Sequence, residues 1–472
     1  MTALSIAVLN GAAAGAGIIY AREFGRGSRT DGLLLAFNVY LVLVLTANAL
    51  RVVVLPELTR AAAQRRLAEE LGGYVAALAA IAACALALAV VVAVLLGTLV
   101  SGETARLFAR ALPWFVLAGG LQLLAALAVS ALAALDNYRV AALGFSLGGL
   151  GGLGLFGLLV AAGAGQLGLA WGLVANAAIA LTVPTVALLA RGLRPRLGQL
   201  ELRRRLSTLA RGAALPISLQ ALYAIAGPFA LRLGAGEATT FTYAYAFAAF
   251  LVAVSATSLS FISSAPLTRR GMTGDDAARH VVATSWLSLS ALAAAVGIFA
   301  LVGGRIVGAV LGGAYGGHVG RELGQAVVYL GPWMLVSVAL TVTFPLLFVL
   351  ERPAVLVPLA VALPPLQALV TWGLSDWLGL RGIALSLGLT TLVALAVLMV
   401  GLSPRTLMLA AAGLARQAAV LVGLAALSFG VVAAIVGGAP AAAIGLAVYL
   451  VLLPLAWPLG LREAWAYVRA LH

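Results

Sequence analysis

The sequence predicts an all-α membrane protein with many spans, and three observations support this. Of the 472 residues, 63% are hydrophobic and 9% are charged, whereas a soluble domain carries roughly 25% charged residues. The apolar residues form continuous runs of the length that crosses a bilayer as a helix, about 20 residues. They do not alternate with polar residues as the strands of a membrane β-barrel do. Soluble enzymes, DNA-binding proteins and disulfide-rich secreted domains are therefore excluded.

Charged and proline-containing breaks divide the chain into fourteen predicted spans. The first six cover residues 2–21, 32–57, 73–99, 111–135, 140–163 and 167–190. The remaining eight cover residues 212–233, 239–266, 281–303, 324–350, 353–375, 382–402, 411–436 and 440–461.

The two halves of the chain repeat each other. As one example, Leu-Thr-Arg occurs at residues 58–60 and again at residues 267–269. Parallel repeats of this kind are typical of transporters that bind their substrate between the two halves. We therefore expect two pseudo-symmetric six-helix lobes, followed by two additional helices and a short tail, over residues 1–190, 212–402 and 403–472.

A basic segment, residues 191–211, separates the two predicted lobes and contains seven arginines interspersed with leucines. This pattern is typical of a short amphipathic helix that lies on the inner membrane surface. A solvated loop that fixes the orientation of the chain accounts for it equally well.

All 29 basic residues are arginine, and the formal net charge is +14. Nineteen arginines fall on the side of the even-numbered loops and the carboxy-terminal tail, and nine fall on the other side. This excess predicts that both termini are cytoplasmic. The arginines at helix ends predict anionic membrane lipids as partners, so the charge does not call for nucleic acid. Without lysine the chain has no Walker A loop and no Schiff-base residue.

The sequence predicts no catalytic residues, no metal site and no cofactor. Cys84 is the single cysteine, expected as a small core residue, and His280, His318 and His472 are scattered along predicted loops and the tail. No zinc-type spacing of histidines or cysteines occurs. The glycines of residues 149–154 match GxGxxG but lie inside a predicted span, where close helix packing explains them.

One segment resembles a known family. Residues 21–31, with the sequence AREFGRGSRTD, followed by Ala36 and Phe37, resemble the ARxFGxGxxTD box of the bacterial lipid II flippases. These are the MurJ/MviN family of the MOP exporter superfamily. Residues 55–58, LPEL, and 168–171, GLAW, are similar to further segments of that family, and the family also has fourteen spans.

The resemblance implies a function in peptidoglycan synthesis and cell shape. The family moves an undecaprenyl-pyrophosphate-linked precursor across the bacterial cytoplasmic membrane, from the inner to the outer leaflet, by alternating access of two lobes. Its last two helices form a groove for the lipid tail, and membrane potential or an ion gradient supplies the energy. Proteins of cell-wall synthesis are candidate partners. Export of another lipid-linked oligosaccharide or of a drug in exchange for a cation, and a non-transporting envelope scaffold, are the alternatives.

Arg51 is the strongest candidate for substrate binding. The resemblance places the family's cavity arginines near Asn10, Ala16, Val44 and Phe247, and none of these residues is basic. Arg51 lies well inside a predicted span, where a charge is costly unless it faces a cavity or a partner. We therefore expect its guanidinium to bind the phosphate groups of the substrate.

Other polar residues complete the predicted site. Asp31 matches the acidic residue of the family's box, and capping of the second helix is its alternative role. Asn38 and Asn48 share one face of a helix, although packing hydrogen bonds between helices are common for such amides. The predicted substrate-binding residues are Asn10, Asp31, Asn38, Asn48, Arg51, Gln220, Tyr223 and Tyr243.

Overall fold

The computed structural model describes residues 2–99, 102–135, 137–196, 202–253, 255, 274–349 and 353–471. Within these ranges the chain forms helices joined by turns and contains no strand. The predicted class, an all-α polytopic membrane protein, is confirmed.

The first compact unit, Met1–Thr239, contains seven helices and the start of an eighth within the described ranges. They are α1 (Thr2–Phe24), α2 (Ser28–Ala63), α3 (Leu67–Leu99), α4 (Glu103–Ala134), α5 (Tyr138–Ala161), α6 (Gly168–Ala190), α7 (Leu202–Leu233) and α8 (Glu237–Val252).

The second compact unit, Thr240–His472, contains the rest of α8 and nine further helices in the described part of the chain. They are α9 (Gly274–Leu311), α10 (Gly317–Tyr329), α11 (Gly331–Val349), α12 (Leu356–Leu378), α13 (Leu380–Leu402), α14 (Pro404–Ala425), α15 (Val432–Ile435), α16 (Gly438–Leu452) and α17 (Leu461–Leu471). A π-helical turn, Ala426–Val431, joins α14 to α15.

Among the described residues, eleven helices are long and apolar enough to cross a membrane. The number is twelve if α10 and α11, which are bent by 42° relative to each other, form one span. Helix α1 occupies the first predicted span. Helix α8 occupies the start of the eighth, whose later residues lie outside the described ranges.

Helix α4 is the centre of the first unit and packs against α2, α3 and α6. Most of its residues are buried, and small residues such as Gly119 and Gly120 allow neighbouring helices to approach closely. Helix α3 lies at the periphery with an exposed apolar surface. Cys84 is on that surface, so the expectation of a core cysteine is wrong.

Helix α7 packs along α2 and belongs to the first compact unit. The boundary between the units therefore follows α7, whereas the sequence places it in the basic segment before α7. Residues 202–211 form the first turns of α7. The division into two six-helix lobes stays a prediction.

Helix α9 is the centre of the second unit and packs against α10, α11, α14, α16 and α17. The residues after the last predicted span were expected to form a short tail, but Leu461–Leu471 form the amphipathic helix α17. His280, expected in a loop, is buried on α9, where its Nδ1 lies 3.2 Å from the hydroxyl of Tyr467 on α17.

Candidate functional site

The turn between α1 and α2 contacts the turn between α7 and α8. Asp31, in the first turn of α2, is fully buried. Its Oδ2 accepts a hydrogen bond of 2.6 Å from the Gly236 N–H. Its Oδ1 accepts bonds of 2.8 Å from the Thr239 N–H and 2.6 Å from the Thr239 hydroxyl. The carboxylate thus caps the amino terminus of α8, although it belongs to a different helix.

Arg26 reinforces this contact. Its Nε donates to the Gly236 carbonyl at 3.0 Å, and its Nη2 pairs with the carboxylate of Glu237. Gly236 has a φ of +86°, and a Cβ at this position would clash with the Arg26 side chain, so only glycine fits. We name Arg26, Asp31, Gly236, Glu237 and Thr239 the Asp31 cluster.

Two further turns of the first unit lie at the same end. The hydroxyl of Thr104, at the start of α4, donates to the Ser28 carbonyl at 3.0 Å. The amide of Gln166, in the turn before α6, donates to the Thr30 hydroxyl at 3.4 Å. The odd-numbered turns of this unit therefore gather at one end, as helices that cross a membrane alternately require.

At the opposite end of α2, the α2–α3 turn contacts the start of α7. Arg205 is buried, and its Nη1 donates to both Oε1 and the main-chain carbonyl of Glu70 at 2.9 Å, while its Nη2 lies 3.3 Å from Oε2. The exposed Arg204 adds a contact of 3.4 Å with the same carboxylate. The Arg205 guanidinium lies 4.8 Å from the ring centroid of Tyr74, whose hydroxyl donates to Glu57 at 2.5 Å. We name these five residues the Arg205 cluster.

The basic segment before α7 also contacts α3 directly. The Arg196 N–H donates to the Ala68 carbonyl at 2.9 Å. This approach requires glycine at position 72, because a Cβ there would clash with the Arg196 main chain. The even-numbered turn and the basic segment thus meet at one end of the first unit.

Arg51 lies on α2 between the two clusters. Its neighbours Leu50 and Val54 belong to a buried apolar cluster. The Arg51 guanidinium carbon lies 4.2 Å from the ring centroid of Phe145 on α5, the geometry of a cation–π contact. Its Nε is buried without a hydrogen-bond partner among the described residues, and no carboxylate of that part of the chain pairs with it.

Asn38 lies where α2 packs against α7. Its side chain is 2% exposed, and neither amide atom has a hydrogen-bond partner in the described part of the chain. A Cβ on Gly227 of α7 would lie 3.3 Å from Asn38 Nδ2. Gln220 and Tyr223 precede Gly227 by about two turns and one turn, so they lie on the same face of α7, and both are buried. We name these four residues the α2–α7 seam.

The structure gives less detail for the remaining predicted site residues. The side chains of Asn10 and Asn48 lie outside the described residues, although their backbones are part of α1 and α2. Tyr243, on the part of α8 in the second unit, packs edge to face against Tyr315 with ring centroids 5.4 Å apart. A role of the predicted residues in binding substrate stays a prediction.

Glu70, Tyr74 and Arg205 are not among the residues predicted from the sequence. A signal was present for Arg205, because it lies three residues after Leu202 and four before Leu209 and so falls on the leucine face of a helix. Glu70 is one of only 15 acidic residues in the chain. So scarce a carboxylate, near an apolar span and in a chain rich in arginine, indicates an ion pair.

Comparison with known proteins finds similarity in structure only. No family model and no curated protein matches the sequence. A structure of the lipid II flippase MurJ in an inward closed conformation is 12% identical and has a TM-score of 0.76, with 97% of this chain and 98% of that chain covered. A multidrug resistance MATE family transporter of the MOP superfamily, inward-facing, is 14% identical with a TM-score of 0.62, covering 85% and 94%.

A MOP superfamily transporter from Pyrococcus furiosus is 15% identical, with a TM-score of 0.57 and coverage of 86% and 94%. At these identities the comparisons show the fold, which is that of the MOP superfamily transporters. The fold that the resemblance of residues 21–31 implies is thereby confirmed.

Proposed function

We propose that this chain is a flippase of the MOP type that carries a polyprenyl-pyrophosphate-linked glycan, similar to lipid II, from the inner to the outer leaflet. Its location is the bacterial cytoplasmic membrane, with both termini in the cytoplasm, and proteins of cell-wall synthesis are its candidate partners. The fold shared with MurJ and with MATE transporters supports the transport class. The choice of substrate rests on the surroundings of Arg51.

Arg51 is a partly buried cation whose Nε is fully buried, and it has no anionic partner among the described residues. A charge in this setting is costly, because the apolar neighbours cannot replace its hydration. The ring of Phe145 covers one face of the guanidinium but leaves the buried Nε without an acceptor. A pyrophosphate group supplies negative charge and several acceptor oxygens, and arginine binds phosphate in a bidentate manner.

The α2–α7 seam offers neutral groups for the glycan. An unsatisfied buried amide such as that of Asn38 costs about 1–3 kcal/mol, so a second state in which it finds partners would recover this free energy. Separation of α7 from α2 would expose Asn38, Gln220 and Tyr223 together. Amide and hydroxyl groups are suited to the hydroxyl and acetamido groups of a sugar.

The Asp31 cluster provides the contact that such a movement has to break. Asp31 holds the α7–α8 turn through two main-chain N–H groups and one hydroxyl. In the proposed cycle this contact closes the end formed by the odd-numbered turns, and its opening releases the substrate on that side.

Cation-coupled drug export is the second candidate, and the burial of Asp31 favours it. A coupling site needs a carboxylate inside the protein, and Asp31 is fully buried although it lies near a helix end. Its two oxygens already accept three hydrogen bonds, so a proton or cation would have to replace these donors. This requirement makes drug export the weaker candidate.

The test uses a bacterium depleted of its own lipid II flippase. The chain is expressed there, and lipid II in the outer leaflet is quantified by its cleavage with an externally added lipid II-cleaving toxin. We expect restored cleavage, and we expect Arg51→Ala to abolish it at equal expression. Arg139→Ala is the matched control, because Arg139 is an exposed arginine at the start of α5.

Correctly inserted wild-type protein that restores no cleavage would contradict the lipid II assignment. Drug efflux from the same cells would then support the second candidate. Full activity of Arg51→Ala would show that Arg51 does not bind the substrate, but it would not contradict flipping by the protein. A scaffold would keep its partners after the Arg51 substitution and would show no transport in either form.

A further inference from the structure

The α2–α3 turn and the basic segment form a strongly charged surface. Of the exposed arginines there, we name five the basic face: Arg65, Arg66, Arg194, Arg196 and Arg203. Residues 57–70 and 191–211 together contain ten arginines but only four glutamates. The proposed transport cycle uses none of the five exposed arginines.

Two contacts assemble the basic face. The Arg196 N–H bonds to the Ala68 carbonyl, and Arg205 bonds to Glu70. Both acceptors are in the first turn of α3, directly after Arg65 and Arg66. Arginines more than 120 residues apart in sequence are therefore held beside one helix end.

The nearby carboxylates leave most of this charge free. Arg204 and Arg205 already engage Glu70. Glu69 lies 3.6 Å from Arg66. Within the part of the chain that the structure describes, no ion pair involves the remaining four arginines of the basic face, which are Arg65, Arg194, Arg196 and Arg203.

Arg65 ends α2 in a left-handed conformation, closed by hydrogen bonds from the Arg65 N–H to Ala62 and from the Arg66 N–H to Ala61. Its φ is +58°, and it is the one non-glycine residue with positive φ among the described residues. Glycine and asparagine adopt this left-handed conformation with little strain, whereas long side chains rarely do. Arginine thus occupies a position where glycine would suit the fold better.

The basic face lies at the level of the membrane boundary. After Glu70, α3 contains no charged residue from Leu71 to its end at Leu99, so its first turn lies where the hydrocarbon begins. Arginine binds phosphate oxygens in a bidentate manner. We infer that the basic face binds the headgroup phosphates of anionic phospholipids in the leaflet at this end, and this site is independent of the transported substrate.

The experiment measures the binding of dioleoyl phosphatidylglycerol to the purified full-length protein in detergent, by native mass spectrometry. Dioleoyl phosphatidylcholine is the neutral comparison lipid, and excess inorganic pyrophosphate tests whether a free phosphate compound takes the same site. The double variant Arg194→Gln/Arg196→Gln removes two charges of the basic face. The matched control is Arg106→Gln/Arg110→Gln, which removes two exposed arginines of α4, a helix that starts at the opposite end of the unit.

We expect phosphatidylglycerol to bind more tightly than phosphatidylcholine. The Arg194→Gln/Arg196→Gln variant should bind phosphatidylglycerol about twenty- to thirty-fold more weakly, since one arginine near an anionic surface contributes about fivefold. Arg65→Gly should weaken binding about fivefold without lowering the unfolding temperature, because glycine relieves the backbone strain. The α4 control should bind as the wild type does.

Three results would overturn the inference. Equal binding of the two lipids would show that the charge of the headgroup does not determine binding. An equal loss in the α4 control would place the effect outside the basic face. Complete displacement of the lipid by pyrophosphate at low concentration would assign the surface to a free phosphate compound instead of a membrane lipid. Phosphatidylglycerol binding that is retained in excess pyrophosphate would support a membrane lipid as the ligand of the basic face.

Discussion

The two ends of α7, the turn after it and its first helical turn, are held within the first unit by different chemistry. At the first end, the Asp31 carboxylate accepts two hydrogen bonds from main-chain N–H groups and one from a hydroxyl. At the second end, Arg205 and the carboxylate of Glu70 form an ion pair between side chains. The bonds of Asp31 therefore depend on the shape of a turn. The Arg205–Glu70 contact depends mainly on the charges of two side chains, with one further bond to the Glu70 main-chain carbonyl.

This difference shows how one helix can be held firmly and still take part in a movement. A bond to main-chain N–H groups is lost as soon as the turn changes conformation. An ion pair between long side chains tolerates small displacements of the backbone. We therefore expect α7 to stay attached through Arg205 while the α7–α8 turn detaches from Asp31 during transport.

The largest effect is expected from Asp31→Ala. This substitution leaves the buried N–H groups of Gly236 and Thr239 without acceptors, so the free energy of unfolding should fall by about 4 kcal/mol. Thermal unfolding of the protein in detergent measures the change. Thr239→Val, which removes the hydroxyl bond alone, should cost about 1 kcal/mol. Equal unfolding temperatures for Asp31→Ala and wild type would show that the cluster does not hold the turn.

Glu70→Gln should have the second-largest effect. Glutamine keeps one acceptor oxygen but removes the negative charge beside the buried Arg205, which should cost about 2 kcal/mol in the same unfolding measurement. The exchange Glu70→Arg/Arg205→Glu should restore part of the loss, because the pair depends on charge. No exchange of side chains can restore the bonds of Asp31 to main-chain groups. An exchange variant no more stable than Glu70→Gln would contradict the conclusion that this contact depends on charge.

Gly72→Ala should have a smaller effect, limited to the basic segment. The new Cβ would clash with the main chain of Arg196, so the segment has to shift, at a cost of about 1–2 kcal/mol. Limited proteolysis within residues 191–211 should become faster while Asp31 keeps its contacts. Gly154→Ala is the control, since its Cβ meets nothing within 4 Å. A proteolysis rate equal to that of the control would argue against the close contact with α3.

The smallest effect is expected from Arg29→Gln. Arg29 pairs with Glu103 at 2.7 Å, but both side chains are largely exposed, at 69% and 55%, and water screens such pairs. Its unfolding temperature should equal that of the wild type. The neighbouring Arg26→Gln should lower it, because the partner Glu237 is 17% exposed and Gly236 also loses a bond. Equal effects of the two substitutions would show that burial does not decide their contributions.

The sequence predicts the helices well because each apolar run is continuous and each break carries charge or proline. It also singles out Asp31 through the MurJ-like box and Arg51 because an arginine inside a span is costly, and their role in binding substrate stays a prediction. Helix α17 could have been found too, since Leu461, Ala464, Val468 and Leu471 recur at helical spacing.

The contacts between distant segments could not be predicted. Asp31 bonds to residues 205 and 208 positions further along the chain, and its main-chain partners carry no side-chain signature. The membership of α7 in the first compact unit could not be predicted from the sequence either. The internal repeat relates span 7 to span 1 but gives no information on which helices pack together. The contact of the Arg51 guanidinium on α2 with the Phe145 ring on α5 could not be predicted either, because periodicity does not specify which helices meet.

The most direct test of flipping uses purified protein in vesicles. The protein is reconstituted with a fluorescent lipid II analogue in both leaflets, and a membrane-impermeant quencher added outside measures how fast the inner pool becomes reachable. We expect the quencher to reach both fluorescent pools rapidly in vesicles with the wild type, and only the outer pool in vesicles with Arg51→Gln at equal reconstitution. Wild-type vesicles that quench no more than protein-free vesicles would contradict flipping by the protein.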